Sequence, residues 1–176
     1  NELKAIEGNN IEIRDRFYKE LDFGTAGIRG VIGAGTNRMN KYVVRRLSTA
    51  IAAHISSKGP KAKKDGVVIG YDSRNCSELF AKEAAAVFAG NGIKVYLHTD
   101  IVPVPVLSFS VRQLRCAAGV MITASHNPKE YNGYKVYGPD GAQLSLEDSK
   151  QISRLMNAIT DYTKVPSFSF DFFKTG

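Results

Sequence analysis

Cysteine is scarce: Cys76 and Cys116 are the only two in 176 residues. No C-x-x-C or related spacing joins them, so a metal ribbon has no ligands to use and the expectation is two reduced thiols. Long apolar runs are also missing. No stretch approaches the roughly 18 uninterrupted apolar residues of a bilayer-spanning helix, and the opening Asn1-Glu2-Leu3-Lys4 holds no apolar signal core. The default expectation is a cytoplasmic chain with no membrane partner. There is no Gly-Lys-Ser/Thr phosphate loop, no dinucleotide fingerprint in a strand-turn-helix context and no Gly-x-Ser-x-Gly elbow. The last absence argues against a serine hydrolase. His54 and His98, which could serve one, fall in an expected helix and just past an expected strand.

Basic residues outnumber acidic ones by 24 to 17, a net charge of +7, which favours an anionic partner. The cations at Arg45, Arg46, Lys61, Lys63 and Lys64 are scattered, without interleaved aromatics or a nucleic-acid module. Nucleic acid is therefore not expected, and a phosphorylated small molecule fits better. With 43% apolar residues the chain can bury one sizeable core.

Periodicity divides the chain into alternating elements. Residues 1–20 read as a helical lead-in. Five glycines between Phe23 and Gly35 suit a hairpin whose backbone approaches a ligand closely. Asn40 to Ser57 reads as an amphipathic helix burying Val44, Leu47, Ile51 and Ile55, with Arg45 and Arg46 on its outer faces. Lys58 to Asp65 reads as a charged surface loop and Val67-Val68-Ile69 as a buried strand. A helix then begins at Asn75, which has capping-box spacing to Glu78. Ile93 to Leu97 is the next strand, Pro103 and Pro105 open a helix, and Ala117 to Thr123 is a third strand. Asn127-Pro128 and Asn132-Gly133 turn the chain back through Tyr134 to Tyr137, antiparallel. Ser145 caps the last helix, which carries Ile152, Leu155, Met156 and Ile159. Strand, helix, strand, helix, strand calls for right-handed crossovers and a sheet between helical layers. The expected fold is α/β, a three-layer α/β/α sandwich with a mixed, mainly parallel sheet. Loops holding Arg74 and Ser125 both start at strand carboxyl ends and should share the binding edge.

The chemistry gathers at Thr123-Ala124-Ser125-His126-Asn127-Pro128. A serine past a strand end, with the amine of Lys135 returned to the same edge, could accept a phosphoryl group, because that transfer needs positioning and positive charge above all. An ordinary polar turn accounts for the spacing equally well. Arg29, on a glycine-rich loop, could hold an anion bidentately.

The block from Thr123 to Tyr137 closely resembles the active-site serine loop of the α-D-phosphohexomutases, the family of phosphoglucomutases, phosphomannomutases and phosphoglucosamine mutases. Phe23-Gly24-Thr25-Ala26-Gly27-Ile28-Arg29-Gly30 resembles that family's N-terminal motif, and Gly70-Tyr71-Asp72-Ser73-Arg74 its next loop. The resemblance implies that residues 1–162 are the first of four domains, and that residues 163–176 begin a linker to the remaining domains of the same polypeptide. The tail phenylalanines Phe168, Phe170, Phe172 and Phe173 suit such a covered connection. By resemblance Ser125 carries a phosphoryl group, donates it to a sugar phosphate and recovers one from a bisphosphate intermediate, with glucose 1,6-bisphosphate as activator. Lys135 matches the general acid/base, its pKa depressed with help from Arg29. His126 would support Ser125 or substrate, and Thr123, Asn127, Arg74 and Thr25 would shape the loop and bind phosphate. Mg²⁺ is implied on the Ser125 phosphate. The family's Asp-Gly-Asp-x-Asp-Arg metal loop does not occur here, so Ser125 supplies at best one ligand of four. Asn37-Arg38-Met39-Asn40 and Asp140-Gly141-Ala142-Gln143 point to the phosphoglucomutase and phosphopentomutase branch, with phosphomannomutase as the alternative. A noncatalytic phosphate-binding fragment is the reading from another class.

Overall fold

The computed structural model describes residues 2–162 and Val165. The lead-in forms two short helices, α1 (Glu2–Ala5) and α2 (Asn10–Phe17), and Asn9 caps the second by accepting the Glu12 N–H. Neither buries a residue. Their ion pairs fasten them down: Arg16 to Glu2 and Glu12, and Arg38 to Asp15.

Strand β1 (Ile28–Val31) follows a tight turn in which Gly24 and Gly27 exchange backbone hydrogen bonds. The hairpin expected between Phe23 and Gly35 does not form. The glycine-rich stretch instead lends β1 to a distant partner, β5 (Tyr131–Tyr137). Helix α3 (Lys41–Ser57) starts where Asn40 accepts the N–H groups of Tyr42 and Val43. Its apolar stripe is buried as expected, but Arg46 is not on an outer face. Only 2% exposed, it donates to the Met156 carbonyl, the Glu20 carboxylate and the Tyr162 hydroxyl. Arg45 is half-buried and bridges to Glu83. The run expected as a charged loop is a short helix, α4 (Pro60–Asp65), with proline in its first turn and a Lys61–Asp65 pair one turn apart.

Strand β2 (Val67–Tyr71) is buried throughout and leads into α5 (Ser77–Gly90). That helix begins one residue later than expected. Cys76 occupies the cap position with φ 64°, without a side-chain cap, and the Asn75 carbonyl instead receives the Asn132 side chain. Then come β3 (Val95–Leu97), α6 (Val104–Gln113), β4 (Ala118–Ile122), β5 and α7 (Leu146–Ala158), the last capped by Ser145 through the Asp148 N–H. Both thiols are free.

The sheet order is β1-β5-β4-β2-β3. β2 pairs in parallel with β3 and β4, while β5 is antiparallel to both β4 and β1. Four of the five strands thus point the same way, and the sheet is mixed and mainly parallel in direction. Helices α3, α5 and α7 share one core with the face carrying Ile28, Ile122 and Tyr134. Helix α6 covers the other face through Leu107 and Val111 against Val68 and Met121. This is the expected three-layer α/β/α sandwich. Apart from Val165, the stretch 163–176 expected as a linker, with its phenylalanines, lies outside the described residues.

Candidate functional site

Strand register assembles the site. Thr123, Gly133 and Arg29 form one row across β4, β5 and β1: the Thr123 N–H donates to the Gly133 carbonyl, and Gly133 lies opposite Arg29. Two residues from Gly133 on the same face is Lys135, opposite Met121. Glycine is required in that row. A Cβ on Gly133 would sit 2.7 Å from both the Ile28 and Thr123 carbonyl oxygens and 3.1 Å from the Arg29 Cγ, so its absence opens the path Arg29 takes. Gly27 has φ 80°, and a Cβ there would meet the Tyr134 carbonyl oxygen at 2.0 Å, so the chain before β1 passes directly over β5.

Lys135 is 8% exposed, and its amine makes no hydrogen bond or ion pair among the described residues. Burial pushes its pKa down, the Arg29 charge pushes it further the same way, and the Asp72 carboxylate opposes both. Arg29 is also nearly idle: its Nε is buried without a partner, and Nη1 reaches only the Asn127 Oδ1 at 3.4 Å. Two cations placed together without a carboxylate bonded to either make a strong local anion field.

Ser125 is exposed at the top of this field with φ 58°, a left-handed conformation that costs a non-glycine residue about 1–2 kcal/mol. Its hydroxyl makes no hydrogen bond among the described residues. Its backbone, in contrast, is held at both ends. The Ser125 N–H donates to Thr123 Oγ1 at 2.9 Å, and its carbonyl accepts from Arg74 Nη2 at 2.7 Å. The same guanidinium donates to the carbonyls of Asn127, Pro128 and Tyr131, and its Nε lies 3.4 Å from Asp72. Arg74 therefore shapes the loop with all three of its nitrogens engaged. Thr123, almost fully buried, donates its hydroxyl proton to Asp72 Oδ2 at 2.5 Å.

The structure brings Ser125, Thr123, Asn127, Arg74, Arg29 and Lys135 to one sheet edge. Thr25 is exposed at the tip of the Gly24–Gly27 turn, and His126 is exposed without a hydrogen bond among the described residues. Asp72, Ser77 and Asn132 had no role assigned from sequence, yet they form the floor of the site. Asp72 accepts from Ser77, Thr123 and the Arg74 N–H, and buried Asn132 donates to Ser77 Oγ. The available signal was Asp72 two residues before Arg74, the spacing of an Asx turn. Asn132 gave none, because Asn-Gly reads equally as a reverse turn.

Among the described residues no group of three or more His, Cys, Asp or Glu could hold a metal ion. Asp72, the carboxylate of this site, is committed to Ser77, Thr123 and Arg74. A divalent cation would find one ligand here, an oxygen carried on Ser125. The arrangement is suited to accept, hold and pass on a phosphoryl group, with positive charge fixed beforehand.

The family described as phosphoglucomutase/phosphomannomutase, alpha/beta/alpha domain I, matches residues 20–163. A Staphylococcus aureus (strain bovine RF122 / ET3-1) phosphoglucomutase is 47% identical over 153 residues, 87% of this chain and 27% of that protein. A crystal structure of a candidate phosphomannomutase from Thermus thermophilus superposes with TM-score 0.71 at 38% identity, covering 78% of this chain and 30% of its own. A phosphoglucomutase/phosphomannomutase family protein from Burkholderia thailandensis gives TM-score 0.60 at 26% identity, with 77% and 30% covered. The chain spans just over a quarter of the length of the curated relatives it matches.

Proposed function

The chain belongs to the phosphoglucomutase/phosphomannomutase family as its α/β/α domain I, and from that premise we propose that it is the phosphoserine domain of a sugar-phosphate mutase. Ser125 Oγ carries the phosphoryl group. In the first step the Oγ–P bond breaks as a sugar hydroxyl oxygen takes the phosphorus, and the Lys135 amine takes the hydroxyl proton and passes it to the departing Ser125 Oγ. The bisphosphate turns over, Ser125 Oγ takes its other phosphoryl group, and the Ser125 hydroxyl proton passes through Lys135 to the departing sugar oxygen. The observation that carries this reading is the pairing of an unengaged Ser125 hydroxyl, on a rigidly held backbone, with two cations that bond no carboxylate.

Lys135 serves as the base because burial first and the Arg29 charge second lower its pKa from the ordinary lysine value. Arg29 holds the transferring group, Thr123 and Arg74 set the loop, Asn127 steadies Arg29, and His126 and Thr25 face the substrate. Mg²⁺ on the Ser125 phosphate would offset charge on the transferring oxygens, with its other ligands coming from further domains beyond residues 163–176. The substrate is a glucose 1- or 6-phosphate, or the pentose equivalent, with glucose 1,6-bisphosphate charging Ser125. Mannose phosphates are the alternative: turnover of glucose, mannose and ribose 1-phosphates by the complete protein decides, and a strong mannose preference overturns glucose.

The phosphoserine itself is tested by incubating the protein with glucose 1,6-bisphosphate and measuring intact mass. One added phosphoryl group is expected. It should vanish in Ser125→Ala and persist in Ser73→Ala, whereas phosphate arriving on the Ser125→Ala protein would reject the assignment.

A further inference from the structure

The hydrogen bonds beneath Ser125 form one chain whose direction is fully determined. Asn132 is wholly buried. Its Oδ1 accepts the Gly133 N–H at 2.7 Å, so its Nδ2 must face the Asn75 carbonyl and Ser77 Oγ, each at 2.9 Å. An amide turned the other way would set oxygen against the Asn75 carbonyl oxygen. Ser77 Oγ, already receiving from Asn132, has one proton left, and it goes to Asp72 Oδ1 at 2.8 Å. Asp72 accepts on its other oxygen from Thr123, and Thr123 Oγ1, having donated its proton, accepts the Ser125 N–H. Every group in this chain has a single permitted role. None of Asn132, Ser77 or Asp72 bonds to Ser125 itself.

We propose that Ser77 and Asn132, at the start of α5 and of β5, are positioning residues for the phosphoryl acceptor. By fixing the Asp72 carboxylate they fix the Thr123 proton, and so the left-handed backbone of Ser125. This rests on the proposed role of Ser125 and deepens it. Both backbone groups of Ser125 lead back to Asp72: the N–H through Thr123, and the carbonyl through Arg74, whose Nε faces Asp72 Oδ2 at 3.4 Å and whose N–H donates to Oδ1. One carboxylate thus holds a strained residue from both sides, and its own rotamer is set by a hydroxyl and an amide from a different helix and strand. Strain of this kind persists only where surrounding bonds over-determine it.

Ser77→Ala removes the link at nearly constant volume. Hydrogen exchange, residue by residue, is the first readout because it is independent of turnover. The Ser125 amide should exchange about tenfold faster in Ser77→Ala, while a core amide such as Val120 keeps its rate and Ser77→Thr, which retains the hydroxyl, restores protection. With glucose 1,6-bisphosphate, phosphorylation of Ser125 should slow about tenfold at a half-saturating concentration changed less than about twofold, since only the approach geometry is lost. In Thr123→Val the last bond is already gone, so adding Ser77→Ala should speed Ser125 exchange no further.

An unchanged Ser125 amide in Ser77→Ala overturns the proposal. So does faster exchange at Val120 to the same degree, which would mark a general loss of stability, or multiplied effects in the double variant. If wild-type protein takes up no phosphoryl group while the exchange pattern holds, the phosphoserine reading has failed and the positioning chain has not.

Discussion

Arg46 is buried and Arg29 half-buried, and the protein treats these two guanidinium groups in opposite ways. Arg46, inside α3, is saturated: it donates to the Met156 carbonyl, the Glu20 carboxylate and the Tyr162 hydroxyl, and stacks 4.9 Å from the Tyr162 ring centroid. Arg29, on edge strand β1, keeps a buried Nε with no partner and one long contact to Asn127. Beside it Lys135 has no bonded partner among the described residues. A buried cation whose bonds are complete can serve as a tie between segments, here the stretch before β1, α3 and the end of α7. One left incomplete keeps donors free, which is what the proposed phosphoryl-holding role asks of Arg29.

The contrast can be broken by exchanging charge for an isosteric apolar chain. The largest effect is expected from Arg29→Met. Phosphorylation of Ser125 should slow by about 10²–10³, the usual loss when one fixed donor to a developing anion is removed. Urea unfolding should shift by no more than about 0.5 kcal/mol, because only the long contact to Asn127 is abandoned. A strongly destabilised but active Arg29→Met would make this arginine structural and erase the distinction.

Arg46→Met should do the reverse. Lost bonds to three groups, with a void that methionine fills only in part, are expected to cost about 2–4 kcal/mol of unfolding free energy. Phosphorylation at a temperature where the variant is folded should stay near wild type. A neutral result in the same urea titration would show that Tyr162 and Glu20 close the gap without the charge.

The smallest effect sharpens the comparison through pH. The Lys135 pKa lies below its ordinary value, through burial first and the Arg29 charge second. Between that depressed value and the unfolded lysine value of about 10.4, the unfolded chain binds more protons, so this group makes stability rise with pH across the window. Lys135→Met should abolish that contribution, leaving a flatter stability profile on the alkaline side. In Arg29→Met the second cause is gone, and the alkaline rise in Ser125 phosphorylation should move to higher pH. A rise that stays in place would locate the depression in burial alone.

Much of this was legible beforehand. The buried strands, the Ser145 cap and the antiparallel return after Asn132-Gly133 follow from local patterns that tertiary packing reinforces. Arg46 was misread because a stripe of Val44, Leu47, Ile51 and Ile55 describes a helix buried on one side. Here α3 packs against both α5 and α7, and the buried sector is wider than the stripe. Lys58 to Asp65 was misread because its charge suggests solvent, which a short helix with solvated lysines satisfies as well as a loop does. The late start of α5 escaped for a different reason. Asn75 and Glu78 have the right spacing, but Asp72 and Asn132 capture the polar groups around Ser77 and Asn75 first.

The amino-acid order alone determined the elements of this protein, the loops at strand carboxyl ends and the residue types able to carry a phosphoryl group, because helix, strand and turn chemistry act over a few positions. The tertiary structure decided which cations remain unpaired. Arg29 and Asn127 are 98 positions apart, Arg46 and Tyr162 are 116 apart, and nothing local distinguishes the arginine that finds a carboxylate from the one that does not. That difference comes from register: β5 sets Gly133 opposite Arg29, and a missing side chain there leaves the guanidinium room beside Lys135.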